Sequence, residues 1–199
     1  MQVVEGRRVV GTDPAAVAAW AAKYESVIVD LGTGDGRFVG RLARHCPAWA
    51  VIGVDTCGAN LREVSRAAPE NALFVVADAL ALPHGLHGLA TGVSINFPWG
   101  SLLRGLLDGE TTLLDGLRAV GRPGCSLTVR LNGGALSEAG WSIEAGGERV
   151  AAVLRSAGFA VGPVETMGPE QLRACPTTWA KRLAFGRDPR AIAVDAVIA

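Results

Sequence analysis

The chain has no excess charge of either sign. Nineteen Lys and Arg balance nineteen Asp and Glu over 199 residues, so the formal net charge is zero. This balance argues against a strongly basic nucleic-acid binder, because no bulk positive charge attracts phosphates. Charged residues make up only 19% of the chain and hydrophobic residues 49%. Intrinsic disorder is excluded, since it requires low hydrophobicity and high net charge.

Long apolar runs and paired cysteines are also missing. The sequence contains no apolar stretch of about 18 residues and no charged head followed by an apolar segment at its start, so we expect neither a membrane span nor a secretory signal. The four cysteines form no CxxC pair and the three histidines are scattered, which predicts no metal site. We interpret the cysteines as buried thiols of a cytoplasmic protein.

Short apolar segments alternate with helical segments, which predicts an α/β fold. Residues 1–12 suggest a β-hairpin, and Asp13 followed by Pro14 marks a helix start. The alternation that follows is typical of a mostly parallel sheet of seven strands with helices on both faces. We predict strands at 27–31, 50–54, 72–77, 93–97, 126–131, 160–166 and 192–198, and helices at 37–45, 60–67, 113–120 and 148–156.

No linker or internal repeat divides the chain, so we predict a single domain over residues 1–199. The connection between the last two predicted strands, residues 167–191, is long for a compact domain. Long connections are often functional. Residues 132–147 show no clear pattern and are expected to be irregular.

The most informative segment is residues 27–36, VIVDLGTGDG, where an apolar strand runs into a glycine-rich turn. Glycine lets the backbone approach a ligand closely and adopt positive φ. Asp30 precedes the first glycine by two residues, and a carboxylate there suits a cationic ligand better than a pyrophosphate. Asp55 and Asp78 end the next two predicted strands, where acids can bind ribose hydroxyls and face an adenine edge.

Two other interpretations of this segment stay open. The spacing Gly-x-Gly-x-Gly departs from the dinucleotide fingerprint Gly-x-Gly-x-x-Gly, which makes NAD the weaker cofactor candidate. The turn could also be an ordinary glycine turn beside ordinary strand-end acids, although acids at three successive strand ends disfavour that interpretation.

Two tryptophans occur where a nucleobase could stack. Trp99 follows Pro98 at the end of the fourth predicted strand, and Trp179 lies in the long connection beside Lys181 and Arg182. Sheets of this kind bind ligands at the carboxyl ends of their strands, and enzymes that act on a base hold it between aromatic or apolar faces. The two rings could therefore clamp a base while the cations bind flanking phosphates. The other tryptophans near these elements are interpreted as core residues: Trp20, Trp49 and Trp141.

Several segments together resemble a known group of enzymes. DLGTGDG at 30–36, with the turn RPG at 122–124 and SAGF at 156–159, resembles the class I methyltransferases that use S-adenosylmethionine (AdoMet). With PWGSLLRG at 98–105 and TWAKRL at 178–183, the chain resembles the Kam/Npm group of aminoglycoside-resistance 16S ribosomal RNA methyltransferases. The resemblance covers nearly the whole chain. It implies a Rossmann-like class I methyltransferase fold with an antiparallel last strand.

The resemblance also implies a reaction and its residues. The reaction is methyl transfer from AdoMet to ring nitrogen 1 of a flipped adenine in the decoding site of the 30S subunit. The implied AdoMet-binding residues are Asp30, Gly32, Gly34, Asp55, Thr56, Ala77, Asp78, Ala79, Asn96, Phe97 and Ser101. The implied residues of the transfer site are Pro98, Trp99, Thr178, Trp179 and Arg182. The candidates for RNA contact are Arg7, Arg8, Arg62, Arg66, Arg104, Arg149, Lys181, Arg187 and Arg190.

The expected partners are the 30S subunit and its 16S rRNA, with neither DNA nor a membrane involved, and the chain is expected to be a cytoplasmic monomer. The neutral charge keeps two alternatives open. One is a methyltransferase for another RNA or a small aromatic molecule. The other is a weakly active or non-catalytic binder of AdoMet or RNA.

Overall fold

The structure is a computed structural model and describes residues 1–175, 177 and 190–198. Its strands are β1 (Gln2–Glu5), β2 (Arg8–Gly11), β3 (Ser26–Leu31), β4 (Trp49–Asp55), β5 (Ala72–Val76), β6 (Ala90–Asn96), β7 (Gly121–Asn132), β8 (Phe159–Met167) and β9 (Ala191–Ile198). Its helices are α1 (Pro14–Ala21), α2 (Arg37–His45), α3 (Gly58–Ser65), α4 (Gly100–Asp108), α5 (Thr111–Val120), α6 (Gly133–Glu138), α7 (Ile143–Ser156) and α8 (Pro169–Ala174), with a 3-10 helix at His84–Leu86.

The strands of the described residues form one sheet in the order β2-β1-β5-β4-β3-β6-β7-β9-β8. The strands from β5 to β7 run parallel, whereas β9 runs antiparallel to both of its neighbours. The chain adds β4 and β5 on one side of β3 and then β6 on the other. This reversal is a topological switch point, where α/β sheets bind ligands beyond the carboxyl ends of their strands.

Helices cover both faces of the parallel strands, so these strands are apolar on both sides. In β3, Val27, Val29 and Leu31 belong to the larger core cluster, which also contains leucines of α4, α5 and α7. Ile28 instead packs against the second cluster, which contains residues of α2 and α3. Alternate side chains of one strand therefore bury against different helices.

The N-terminal hairpin differs from the prediction of a hairpin beside a seven-stranded sheet. β1 pairs antiparallel with β5, with Val3 opposite Val75, so the hairpin adds two strands to the same sheet. Val3 and Val4 are 2% and 3% exposed. Because successive side chains of a strand face opposite sides, burying both requires β1 to lie within the sheet.

The sequence predicts some of the helices and misses others. α2 occupies the predicted residues Arg37–His45, whereas residues 132–147 are not irregular: they contain α6 and the start of α7. The side chains of Asn132 and Ser142 accept hydrogen bonds from backbone N–H groups of these helices, at 2.7 and 3.1 Å. Both helices therefore start at capping residues. α4 is not predicted either, and it buries four leucines in the core: Leu102, Leu103, Leu106 and Leu107.

Two expectations about burial need correction. The three tryptophans interpreted as core residues, Trp20, Trp49 and Trp141, are half-buried at the edges of the clusters. Among the cysteines, Cys125 and Cys175 are buried, Cys46 is half-buried and Cys57 is exposed, so the prediction of four buried thiols is wrong. Along the described part of the chain, every helix is too short or too polar to cross a membrane.

Candidate active site

A cleft of about 370 Å³ opens at the carboxyl ends of the parallel strands. Its volume lies within the range of small-molecule sites. The lining includes every residue that the resemblance assigns to AdoMet: Asp30, Gly32, Gly34, Asp55, Thr56, Ala77, Asp78, Ala79, Asn96, Phe97 and Ser101. Pro98 and Trp99 complete the predicted part of the lining. The structure thus gathers residues from the ends of four strands around one cavity.

The glycine-rich turn after β3 contributes Gly32 and Gly34 to the lining of the cleft and needs glycine for two reasons. Gly34 has φ +60°, and its N–H donates to Oδ2 of Asp55 at 2.8 Å. Gly36 has φ +68°, and a Cβ there would lie 2.6 Å from a methyl group of Val64. Positive φ is rarely tolerated by other residues, so the turn combines an unusual backbone with close packing on α3.

Asp30, at the end of β3, is 1% exposed and belongs to a polar network across three strands. Its Oδ1 accepts hydrogen bonds from Oγ of Ser94 at 2.7 Å and from Nδ2 of Asn96 at 2.8 Å. Arg130 donates from its guanidinium to Oδ1 of Asn96 at 2.7 Å. Burial raises the pKa of Asp30 to about 6, although these hydrogen bonds and the charge of Arg130 lower it in part.

Asp55 and Asp78 stand at the ends of the next two strands. The second oxygen of Asp55, Oδ1, accepts from the N–H of Cys57 at 2.9 Å, so each carboxylate oxygen is held by one backbone group. Asp78 is exposed and accepts from the N–H of Leu80 at 2.9 Å. A carboxylate oxygen has two lone-pair sites, so both oxygens of Asp55 retain capacity for a ligand's hydroxyl groups.

The lining of the cleft is negatively charged. Asp30, Asp35, Asp55 and Asp78 contribute carboxylates, and no Lys, Arg or His contributes to the lining among the described residues. Such a site attracts a cationic ligand and repels a pyrophosphate, which disfavours the NAD alternative. No cluster of three or more side chains suited to a metal ion occurs in the described ranges.

The rim of the cleft carries Trp99, which is 38% exposed at the N-terminus of α4. Two residues earlier, Phe97 has φ 54°, an uncommon conformation for a residue other than glycine. The N–H of Phe97 donates to the carbonyl of Arg130 at 2.8 Å. Its side chain is buried against Met167 and Leu172, from the end of β8 and from α8. The segment that carries Trp99 is therefore anchored from both sides.

Some lining residues are missed by the sequence analysis: Thr33, Asp35, Phe38, Val54, Leu102 and Thr177. Thr33 and Asp35 alternate with the predicted glycines, so the turn itself could have indicated them. Thr177 is 6% exposed and belongs to the long connection, whose approach to the cleft is a tertiary feature. Five predicted residues of that connection lie outside the described residues: Thr178, Trp179, Lys181, Arg182 and Arg187.

Four of the predicted RNA-contact arginines are exposed on or beside elements that start near the carboxyl ends of the parallel strands. Arg62 and Arg66 are exposed on α3 and directly after it, and Arg104 is exposed on α4. Arg190 is exposed immediately before β9, whose first residue pairs with Asn132 at the carboxyl end of β7.

The structure does not bring the other described candidates to the cleft. Arg7 and Arg8 lie at the hairpin turn, and because β1 runs antiparallel to β5 this turn lies toward the amino ends of the parallel strands. Nε of Arg149 donates at 2.6 Å to the carbonyl of Leu107. That carbonyl lies in the last turn of α4, roughly 10 Å along the helix from Gly100.

A second cavity, of about 250 Å³, lies between α2 and α3 and is called the α2–α3 groove below. Arg37, Arg41 and Arg44 line it from α2, and Asp35 lines both this groove and the main cleft. Their spacing of four and then three residues places the three arginines on one face of the helix. The spacing is present in the sequence and is the signal that could have indicated this surface. Arg44 also donates to the backbone carbonyls of Gly40 and Ala67, at 3.1 and 2.6 Å.

Three features together define a class I AdoMet-dependent methyltransferase. The sheet is doubly wound and its last strand in the chain, β9, is antiparallel; a glycine-rich turn follows β3; and acids lie at three successive strand ends. Comparison with known proteins gives the family. The model of the NpmA family, 16S rRNA (adenine(1408)-N(1))-methyltransferase, matches residues 2–198. The chain belongs to this family.

Individual relatives agree with that assignment. The 16S rRNA (adenine(1408)-N(1))-methyltransferase of Streptoalloteichus tenebrarius is 32% identical over 204 residues, which cover 94% of each chain. The crystal structure of the 16S rRNA methyltransferase KamB covers 100% of both chains with a TM-score of 0.89 and 30% identity. The W203A mutant of the Catenulisporales acidiphilia enzyme, solved with cosubstrate SAM, has a TM-score of 0.85 and 29% identity and covers 99% of this chain and 96% of its own.

Proposed function

We propose that this chain transfers the methyl group of AdoMet to N1 of adenine 1408 in the 16S rRNA of the 30S subunit. The observation that supports it best is the negatively charged cleft, which contains all the AdoMet-binding residues expected from the sequence and has Trp99 at its rim. AdoMet supplies an electrophilic methyl group on a sulfonium ion. Methylation of this base would confer aminoglycoside resistance, the property for which the similar methyltransferase NpmB1 is named.

In this proposal the carboxylates bind the cationic and hydroxyl groups of AdoMet. Asp30 binds the ammonium group, since it is a buried carboxylate in the lining of the cleft. Asp55, fixed by the N–H groups of Gly34 and Cys57, binds the ribose hydroxyls. The adenine edge lies against Ala77, Asp78 and Ala79, and the other contacts come from Gly32, Thr56, Asn96, Phe97 and Ser101.

The adenine of the RNA stacks on Trp99 at the rim and, in the proposal, on Trp179 from the other side. N1 of adenine carries a lone pair at neutral pH, so the protein needs no strong general base. The carbonyl of Pro98 faces the developing positive charge, and Thr178 and Arg182 help to hold the base. Catalysis then consists of positioning and electrostatic stabilisation.

The ribosome docks against arginines at the cleft edge rather than against a uniformly basic surface. We assign this role to exposed arginines on α3, on α4 and before β9, together with the α2–α3 groove: Arg37, Arg41, Arg44, Arg62, Arg66, Arg104 and Arg190. Lys181 and Arg187 extend this surface in the proposal. RNA with a defined shape needs few such contacts when a flipped base adds stacking energy. We further propose a single domain that acts as a cytoplasmic monomer.

Methylation of purified 30S subunits tests the proposal. With labelled AdoMet, we expect incorporation into 16S rRNA and a methyl-dependent primer-extension stop at adenine 1408. The Trp99→Ala variant serves as the negative control. Labelling of another RNA while 30S subunits stay inert would replace rRNA by the alternative substrate, and absence of any transfer at saturating AdoMet would leave a binding protein.

Asp55→Ala tests the AdoMet-binding part of the proposal separately. Removing this carboxylate deprives the ribose hydroxyls of their acceptor, a loss of about 1–3 kcal/mol. We therefore expect AdoMet to bind at least about fivefold more weakly in calorimetry, with Asp55→Asn intermediate. Unchanged affinity of Asp55→Ala would contradict the assigned role.

A further inference from the structure

Arg130 lies on β7, which contributes no residue to the lining of the main cleft among the described residues. It pairs in register with Asn96 of β6. Its side chain donates to Oδ1 of Asn96, and its backbone carbonyl accepts from the N–H of Phe97. One residue outside the cleft therefore contacts two successive residues of the lining.

The contact between Arg130 and Asn96 determines which way the amide of Asn96 points. A guanidinium group only donates hydrogen bonds, so it selects the orientation in which Oδ1 faces Arg130. Nδ2 must then face Asp30, where it donates at 2.8 Å. With the opposite orientation, an amide oxygen would face a carboxylate, and two acceptors would meet.

The positive charge of the Arg130 guanidinium also favours the anionic form of Asp30. Burial raises the pKa of Asp30 to about 6, and the positive charge of Arg130 lowers it in part. The other ionisable groups of the lining are Asp35 from the glycine turn, Asp55 from β4 and Asp78 after β5. Their negative charges oppose a further anion at Asp30, so their effect is opposite to that of Arg130. α4 contributes Ser101 and Leu102 to the lining, and neither ionises.

We propose that Arg130 is a positioning residue for AdoMet, which orients the amide of Asn96 and keeps Asp30 in the anionic form that binds the cosubstrate's ammonium group. The proposal rests on the role given to Asp30 under the proposed function. It explains why a cation stands behind a cleft that is lined with carboxylates. Arg130 touches neither the methyl group nor the base, so its effect must appear in AdoMet binding.

Calorimetric titration of AdoMet between pH 5 and 8.5 tests this role in Arg130→Gln. Wild-type affinity should fall as the pH drops through about 6, because protonated Asp30 cannot pair with an ammonium group. In Arg130→Gln we expect this midpoint to rise and the affinity at pH 7 to fall a few-fold, because Asp30 loses a favourable charge and Asn96 loses the donor that orients its amide. Arg130→Lys retains the charge but not the fork geometry, so it should keep the midpoint near the wild-type value and recover only part of the affinity.

Arg122→Gln is the matched control. Arg122 is on the same strand, is exposed, and donates to the carbonyl of Gly88 far from Asp30. The substitution removes the same charge and should leave both the midpoint and the affinity unchanged. If Arg122→Gln reproduced the effect of Arg130→Gln, a general change in charge would be the cause and the proposal would be overturned.

Carboxyl-carbon NMR of the ligand-free protein gives a second measurement that does not depend on binding. The resonance of Asp30 should titrate near pH 6 in the wild type and at higher pH in Arg130→Gln. Equal titration and equal AdoMet affinity in the two proteins would overturn the role of Arg130 but leave the proposed function intact. Failure of the wild type to bind AdoMet would instead reject the proposed function, and this inference with it.

Discussion

The two halves of the cleft are built differently. In the half that the proposal assigns to AdoMet, called the cosubstrate half below, Asp30 and Asp55 lie at the ends of parallel strands, and hydrogen bonds of 2.7 to 2.9 Å hold their carboxylates. In the half that the proposal assigns to the nucleobase, called the nucleobase half below, Trp99 is 38% exposed and lies two residues after Phe97, which has a positive φ. That residue is held by a small cluster with α8. One half is part of the sheet, whereas the other depends on packing between distant segments.

This difference predicts that substitutions in the two halves have different effects. Changes in the cosubstrate half should alter AdoMet affinity or the pH dependence of stability. Changes in the nucleobase half should reduce transfer to the ribosome and leave AdoMet affinity unchanged. The following substitutions test this separation.

Leu172→Ala should have the largest effect, on the nucleobase half. Leu172 is fully buried in the cluster that holds Phe97, and truncation of a buried leucine costs about 2–5 kcal/mol. We expect faster proteolysis near α8 and a clear loss of transfer to 30S subunits, with AdoMet affinity unchanged in calorimetry. Leu117→Ala is the control, because Leu117 is equally buried on α5. An equal loss of transfer per folded molecule in both variants would refute a local effect.

Asp30→Asn should stabilise the protein while it abolishes AdoMet binding. The pKa of Asp30 rises from 3.8 to about 6 on folding, so the folded state binds the proton more tightly. Stability therefore falls as the pH rises from about 4 to 6, and the full penalty, on the order of 3 kcal/mol, applies above that range.

Denaturant unfolding at pH 7 and at pH 4 measures this effect. Asp30→Asn should be more stable than the wild type at pH 7, and the gain should shrink toward pH 4. The control is Asp115→Asn, because it removes the same charge from an exposed side chain. If Asp30→Asn were less stable than the wild type at pH 7, burial of the charged carboxylate would not be the destabilising factor that we infer.

Trp99→Ala should reduce transfer by at least about tenfold, since stacking on a base contributes about 1–3 kcal/mol. AdoMet affinity should change little, and Trp99→Phe should retain much of the activity because it keeps an aromatic face. Trp179→Ala should lose transfer to a similar extent. Unchanged turnover in either alanine variant would refute the aromatic clamp.

The arginine substitutions should have the smallest individual effects. Each of Arg62→Gln and Arg104→Gln should weaken 30S binding a few-fold and reduce the salt slope by about 1. Arg7→Gln should leave both unchanged, because Arg7 lies toward the amino ends of the parallel strands, opposite the cleft. The slope of the wild type should be shallow for a nucleic-acid binder, given its zero net charge. If Arg7→Gln weakened binding equally, the RNA would also contact the amino ends of the parallel strands.

The features that were predictable are local ones. Residues 27–36 combine a β-branched run with a glycine turn, and α2 follows at the predicted residues 37–45. The sequence does not predict α4, because its residues, GSLLRGLLD, include two glycines and its N-cap, Trp99, makes no side-chain capping hydrogen bond. Packing against the core stabilises this helix where local propensity is weak. α6 was missed for the same reason, since it has six residues and starts with two glycines.

The sequence by itself determined the apolar strands, the glycine turn and the acids at the strand ends, because these depend on neighbouring residues. Only the tertiary structure decided what surrounds them. Arg130, Asn96 and Asp30 are linked across separations of 34 and 66 residues, and the hairpin finds its place beside β5. The register of parallel strands brings such residues together. Burial among them, rather than the residue type, then sets the pKa of Asp30 and the direction in which Asn96 points.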